Sequence, residues 1–372
     1  MGHGPGALED LVVTPAFWAG KRVLVTGHTG FKGAWACAWL DRLGADVTGI
    51  ALAPDSTPSL WGLLDLASVA SHEVDITDAG ALRSTMVAAD PEIILHLAAQ
   101  SLVRRSYRDP GETFAANVMG TLNVLNAARD CPGLQAVVCA TSDKAYENVE
   151  QIWGYRETDP MGGRDPYSAS KGASELVIAS MRQSFFAPYA AGGHPARVGA
   201  VRAGNVIGGG DWAEGRLIPD IIRGCLGTAG SVTLRAPHSV RPWQHVLEPL
   251  RGYMALAERL YAGDPGFDAG WNFGPDRTDE RAVIEVADAI VTALGTGEII
   301  IHEDADAPHE AKMLRLDCTK ARVQLGWVPA MSFADCVAFT ADWYGGWHKG
   351  QTARDLCATQ IAAYQDLCEA RS

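Results

Sequence analysis

The chain has 372 residues, 47% of them hydrophobic and 20% charged, with 31 Lys and Arg against 44 Asp and Glu for a formal net charge of −13. That mixture excludes a disordered or fibrous chain, and an acidic chain without a clustered basic stripe is unsuited to general nucleic-acid binding. The longest apolar runs, such as 92–99 and 136–140, are strand-length and far short of the ~20 residues that cross a membrane.

Residues 1–16 lack the basic start and apolar core of an export signal, Glu9 and Asp10 interrupting them, and read as an N-terminal extension. From residue 17 short β-rich runs alternate with helical patterns. Runs 21–26, 46–50, 93–97 and 136–141 have the continuous apolar character of buried parallel strands. Between them 31–43, 79–89 and 112–129 repeat apolar residues at helical spacing. A helix from Tyr167 to about 186 and a strand over 198–202 complete the half. This order predicts an α/β fold, a Rossmann-type doubly wound parallel sheet over 17–204. After it Gly208-Gly209-Gly210, Pro219, Pro237 and Pro242 break the pattern. A smaller mixed α/β substrate-binding lobe is therefore expected over 205–372, with segments returning to the first domain, as the length of the chain requires.

Gly27-His28-Thr29-Gly30-Phe31-Lys32-Gly33 stands where the first strand meets the first helix. Gly27 permits the tight turn, Gly30 lets backbone approach a pyrophosphate, and Gly33 lets the helix pack closely on the sheet. The helix N-terminus then supplies N–H donors to the diphosphate of a dinucleotide. The acidic residue usually found about 20 positions on, which holds a ribose 2′-hydroxyl, is missing from Ile50-Ala51-Leu52-Ala53-Pro54. No Lys or Arg lies between Arg42 and Arg83 to hold a 2′-phosphate, although Lys32 sits within the turn. NAD is thus favoured over NADP. Asp75-Ile76 contacts the adenine or, for Asp75, caps a helix.

Tyr167 and Lys171 stand at i and i+4 of one helix, so the ammonium lies near the phenol. A phenol with an ordinary pKa near ~10 becomes a usable base when a cation stabilises its anion. Thr141-Ser142-Asp143-Lys144 closes a strand at the sheet's carboxyl edge, where such folds bind ligands. An acid and a lysine side by side there serve a protonation and a deprotonation, or form a solvent-facing ion pair. Eight cysteines without Cys-x-x-Cys spacing give no metal site and read as reduced thiols of a cytoplasmic protein.

The Gly turn with Tyr167 and Lys171 resembles the extended short-chain dehydrogenase/reductase superfamily, and within it the nucleotide-sugar 4,6-dehydratases of the CDP-glucose branch. The matching blocks include His96-Leu97-Ala98-Ala99-Gln100, Asn117-Val118-Met119-Gly120-Thr121 and Thr141-Ser142-Asp143-Lys144-Ala145-Tyr146-Glu147-Asn148. They continue with Trp153-Gly154-Tyr155-Arg156-Glu157, Arg202-Ala203-Gly204-Asn205-Val206-Ile207-Gly208, Arg241-Pro242-Trp243-Gln244-His245, Trp271-Asn272-Phe273 and His309-Glu310-Ala311. Ala145, where the family more often has Cys, departs from the pattern.

The resemblance implies NAD held by Gly27, Thr29, Gly30, Phe31, Lys32 and Gly33, by Asp75 and Ile76, and by Leu97, Ala98, Ala99 and Thr141 beside Tyr167 and Lys171. It implies a redox-neutral reaction on CDP-glucose or a related nucleotide sugar. Tyr167, aided by Lys171 and Ser142, takes the 4-hydroxyl proton as C4 is oxidised. Lys144 then removes the C5 proton while Asp143 protonates the departing 6-hydroxyl, and hydride returns to C6. Many dehydratases of other nucleotide sugars have Glu where this chain has Lys144. Substrate contacts carried over are Gln100 and Arg105 toward the sugar, Asn205, Arg241 and Asn272 at the diphosphate, and Arg216 near the nucleotide. A homodimer through the helices that follow Glu112 and open at Tyr167 is implied as well. A 4-epimerase on the same scaffold needs the Tyr–Lys pair but not Asp143 and Lys144, and a non-catalytic NAD-binding regulator needs none of them.

Overall fold

The computed structural model describes residues 13–302 and 313–371. Residues 1–12 of the expected extension, and the block His309-Glu310-Ala311, lie outside the described residues. The central sheet contains β1 (Arg22–Thr26), β2 (Asp46–Ala51), β3 (Ala70–Glu73), β4 (Ile93–His96), β5 (Ala136–Ala140), β6 (Arg197–Ala203) and a last strand, Gly270–Phe273. Their spatial order is Gly270–Phe273, β6, β5, β4, β1, β2, β3, with every neighbouring pair parallel. The order reverses between β1 and β4, where Thr26 pairs with His96. Ligands of open α/β sheets bind in the crevice at such a reversal.

Alternation along the strands gives the sheet two apolar faces. Val23, Val25, Leu95 and Val138 face one core, together with Trp35 and Trp39 of helix Phe31–Arg42 and Leu256 of helix Leu247–Ala262. Leu24, Ile94 and Val137 face the other, with Leu82 of helix Ala79–Ala89, Val124 of helix Gly120–Ala128 and Ile178 of helix Pro166–Phe185. Strand β3 is exposed along its length and has no apolar run, so only its place before Asp75 is readable from sequence.

Helix Phe31–Arg42 is buried nearly all round, unlike a surface helix with one apolar stripe. Trp35 Nε1 donates to the Gly209 carbonyl at 2.9 Å, and Trp39 meets Tyr364 edge-on at 5.8 Å. Tyr364 belongs to helix Ala353–Arg371, which covers this side of the first helix. The helix expected over 112–129 is Pro110–Phe114 continued by a π-turn, Ala115–Met119, and then Gly120–Ala128. Such π-turns cluster at functional sites.

The second lobe contains a parallel pair, Ser231–Leu234 with Glu298–Ile301, and helices Leu217–Leu226, Val283–Leu294 and Phe333–His348. Between these the chain returns to the first core through helix Leu247–Ala262 and strand Gly270–Phe273. No helix among the described residues is long and apolar enough to cross a membrane.

Candidate active site

The Gly turn follows β1 at the reversal. Gly27 has φ +74°, and a Cβ there would stand 2.7 Å from the Ala98 backbone; one at Gly33 would stand 2.1 Å from the Gly27 carbonyl oxygen. Both positions therefore require glycine. At Gly30 a Cβ would meet nothing closer than 3.4 Å, so that side of the turn is open. Gly30 is also the N-cap of helix Phe31–Arg42 and offers no side chain to its first N–H groups. An open cradle with unclaimed donors fits a dinucleotide diphosphate.

The other residues expected at the cofactor are each held by local contacts. Thr29 Oγ1 donates to the Leu52 carbonyl at 2.8 Å, tying the turn to the loop after β2. Thr26 Oγ1 accepts the Leu97 and Ala98 N–H groups at 3.2 Å each, which fixes the segment after β4. Asp75 accepts the Thr77 N–H at 2.8 Å and stiffens its own loop, while Asp78 is the residue that caps helix Ala79–Ala89. Ile76 is buried against Gly120, leaving little of it to meet a ligand. Lys32 does not reach toward β2: its Nζ lies 3.3 Å from Tyr253 Oη, on helix Leu247–Ala262. That leaves a 2′-phosphate without Lys32 as its cation.

Helix Pro166–Phe185 starts abruptly because Asp165 accepts the Ser168 N–H at 2.9 Å and Pro166 needs no donor partner. Tyr167 therefore lies in the first turn, its backbone N–H held by Ser106 Oγ at 3.2 Å. Burial pushes the phenol up to about 12, against a hydrogen bond with Ser142 that favours its anion. Lys171 follows one turn on, with Nζ 3.4 Å from the Ala140 carbonyl. Burial pulls its ammonium down to about 8, opposed by the charge of Glu175.

Strand β5 ends in a single 3₁₀ turn, Asp143–Ala145, which presents the remaining groups. Ser142 Oγ donates to Asp143 Oδ1 at 3.0 Å, and the Lys144 N–H reaches the same oxygen at 2.8 Å. Asp143 Oδ2 is buried without a hydrogen-bond partner. Burial raises this carboxyl, outweighing the downward pull of Lys144, the Ser142 hydrogen bond and Arg241. The shift is in the direction that a group giving up a proton requires. Lys144 is half-buried beside it.

The predicted substrate residues divide. Arg216 crosses from the second lobe to donate to Ser101 Oγ at 2.8 Å and Asp211 at 3.1 Å, and its charge acts on Tyr167 and Lys32. Arg241 is buried with its charge acting on Asp143, and Asn205 is half-buried after β6. Gln100 and Asn272 are not available to a ligand as expected. Gln100 spends its amide on Leu102 and Thr113, at 2.6 to 3.1 Å. Asn272, fully buried, accepts from Tyr146 Oη at 2.8 Å and donates to the Tyr155 and Asp317 carbonyls. Arg105 is held at the rim by Glu112, at 2.9 Å, and by Asp55, at 3.4 Å.

Two residues of the matching blocks, given no role from sequence, hold the site's elements together. His96 joins Thr26 at 2.7 Å and Thr121 at 3.0 Å, locking the ends of β1 and β4, and burial lowers its imidazole to about 3 so that it stays neutral. Asn117, in the π-turn, grips the Gln100 backbone and donates to Ser170 at 2.8 Å, linking the segment after β4 to helix Pro166–Phe185. Among the described residues no group of three or more His, Cys, Asp and Glu could hold a metal ion.

The fold is that of the extended short-chain dehydrogenase/reductase class, and at its crevice Ser142 and Asp143 act on Tyr167, one helical turn before Lys171. The model of the GDP-mannose 4,6 dehydratase family matches residues 24–340, and the chain belongs to that family. It is 47% identical to the CDP-glucose 4,6-dehydratase of Salmonella typhimurium, over 94% of this chain and 97% of that one. Among solved structures it resembles a double mutant of the dTDP-glucose 4,6-dehydratase DesIV from Streptomyces venezuelae, solved with NAD bound: TM-score 0.73, 26% identity, 87% of this chain and 98% of that one. The epimerase Mth375 of Methanothermobacter thermautotrophicus shares the fold, with TM-score 0.77, 23% identity and coverage of 90% and 95%.

Proposed function

We propose that the chain converts CDP-D-glucose to CDP-4-keto-6-deoxy-D-glucose and water, with NAD as its resident cofactor. The observation that carries the reading is Asp143, with its unpartnered buried Oδ2, adjoining Lys144 in the turn beside Ser142 and Tyr167. A 4-epimerase has no use for that pair. The relative of Salmonella typhimurium supports the choice of nucleotide.

The cradle at Gly30 and the N-terminus of helix Phe31–Arg42 would hold the cofactor diphosphate. When bound, NAD supplies an acceptor for hydride from C4 and later a donor of hydride to C6. Tyr167 takes the 4-hydroxyl proton, and the cation at Lys171 with the Ser142 hydrogen bond stabilises the phenolate. Once C4 is a ketone, the C5 proton becomes acidic. Lys144 removes it while Asp143 gives a proton to the 6-hydroxyl, which leaves as water, and Lys144 returns a proton to C5 as hydride reaches C6. Arg216 and Arg241 meet the charge of the nucleotide diphosphate; Arg presents a bidentate fork for such oxygens. Exposed Phe114, Met119 and Leu176, on helices at the outer face, support a homodimer. The eight buried free cysteines fit a reducing cytoplasm.

The test is product mass after incubation with CDP-glucose in deuterated water, beside the UDP-, dTDP- and GDP-glucose analogues. Loss of one water with one solvent deuteron fixed at C5, from CDP-glucose alone, is expected. Unchanged mass with inverted C4 stereochemistry would make the protein an epimerase, and reaction of another nucleotide would overturn the base assignment.

Burial first, then the charges of Arg216 and Lys171, lower the Lys32 ammonium to about 7, with Asp143 acting the other way. An incoming diphosphate stabilises the charged form. Cofactor binding above pH 7 is therefore expected to take up protons and to weaken as pH rises through that value. Calorimetry in buffers of different ionisation heat measures the uptake, and Lys32→Met should diminish it.

A further inference from the structure

Asp143 and Lys144 act from one short turn, and the side chains that brace it lie outside the groups given roles above. On the near flank, Thr141 donates through Oγ1 to Glu175 Oε1. Glu175 stands four residues beyond Lys171 on the catalytic helix, and Arg202 of β6 grips it with Nε to Oε1 at 2.7 Å and Nη2 to Oε2 at 2.8 Å. On the far flank, Arg202 Nη1 donates to Tyr146 Oη at 2.6 Å, and that hydroxyl donates onward to Asn272 at 2.8 Å. Tyr146 is the C-cap of the catalytic turn. Gly270 makes room for the guanidinium, since a Cβ there would stand 2.5 Å from Arg202 Nη2. Glu175, Arg202 and Tyr146 are all nearly inaccessible to solvent.

We infer that Glu175, Arg202 and Tyr146 form a clamp that grips both ends of the Ser142–Ala145 segment and sets the aim of Asp143 and Lys144 at C5 and C6. They are positioning residues for the elimination, and the inference rests on the function proposed above. One guanidinium binds the two ends, so neither end can shift without breaking a charge-assisted hydrogen bond. The Tyr–Lys pair that serves C4 has its own support in Ser106 and Ala140. Ser142, which bonds the Tyr167 phenol, lies at the Thr141 end of the segment, so loosening the far flank slows the elimination much more than the oxidation.

Tyr146→Phe tests this, because it removes the shared hydroxyl and keeps the ring. The variant is expected to oxidise C4 within about threefold of the wild-type rate and to lose water roughly ten- to a hundredfold more slowly, the cost of a slightly misplaced catalytic group. A 4-ketohexose still bearing its 6-hydroxyl then accumulates, and borodeuteride quenching labels it at C4. The paired change Glu175→Gln with Arg202→Met, which leaves no unpaired buried charge, should slow water loss likewise and, with the Glu175 charge gone from beside Lys171, should also move the alkaline limb of the oxidation to lower pH. Wild-type water loss in Tyr146→Phe overturns the clamp, and so does an equal slowing of both steps, which general loosening would produce. If the wild-type protein releases no water from any nucleotide hexose, the proposed function has failed instead.

Discussion

Tyr167→Phe is expected to lower kcat by about 10²–10⁴-fold, the range for loss of a positioned acid–base group, with KM and melting temperature little changed. The ring is buried, and its hydroxyl meets Ser142. Phenylalanine preserves the packing and removes only the proton acceptor, so the lost interaction belongs to the transition state. The wild-type profile should also carry a sign. Because Lys171 is held down at about 8, its cation disappears as pH rises through that value, and with it the support for the Tyr167 anion. Turnover should therefore fall on the alkaline side in the wild type, whereas the residual rate of Tyr167→Phe should lack that limb. Steady-state kinetics over a pH series checks both, and a variant retaining full activity would remove Tyr167 from the mechanism.

Lys144→Ala should stop the reaction at a later point. C4 oxidation continues, but water loss falls by about 10²–10⁴-fold, and solvent deuterium no longer enters C5. Asp143→Asn should block water loss as well, since an amide cannot give a proton to the departing 6-hydroxyl. Lys144→Glu should recover part of the loss, because a carboxylate at that position can receive the same C5 proton. Deuterium exchange at C5 followed by mass spectrometry separates these outcomes. Full water loss in Lys144→Ala would assign the C5 base elsewhere.

The legible features were those fixed by local sterics or by spacing. Gly27 and Gly33 are dictated by backbone contacts within the turn. The Tyr167–Lys171 pairing follows from helical geometry, and Ser142–Lys144 from the rule that strand ends line the crevice. Side chains whose roles are decided by distant packing were not legible. Asn272 stands among diphosphate-binding blocks, yet strand Gly270–Phe273 carries it into the interior beside Tyr146. Lys32 lies in the phosphate turn, but a tyrosine more than two hundred residues away sets its direction. Glu175 was in reach of the same four-residue spacing that picks out Lys171, and only its contact with Arg202 shows its worth.

Helix Ala353–Arg371 bears on how the protein is made. Tyr364 covers Trp39, accepts from Arg251 at 3.0 Å and donates to buried Glu248 at 2.9 Å, while Arg354 bonds the Leu64 carbonyl at 3.2 Å. Helix Phe31–Arg42, which follows the glycine turn, is thus sealed by residues synthesised more than three hundred positions after it. At about 5–20 residues per second, a ribosome needs tens of seconds to cover that interval. Throughout it Trp35 and Trp39 lack their final cover, so the nascent chain is a ready client for chaperones. The dinucleotide site cannot reach its finished form until residues 353–371 have left the ribosome.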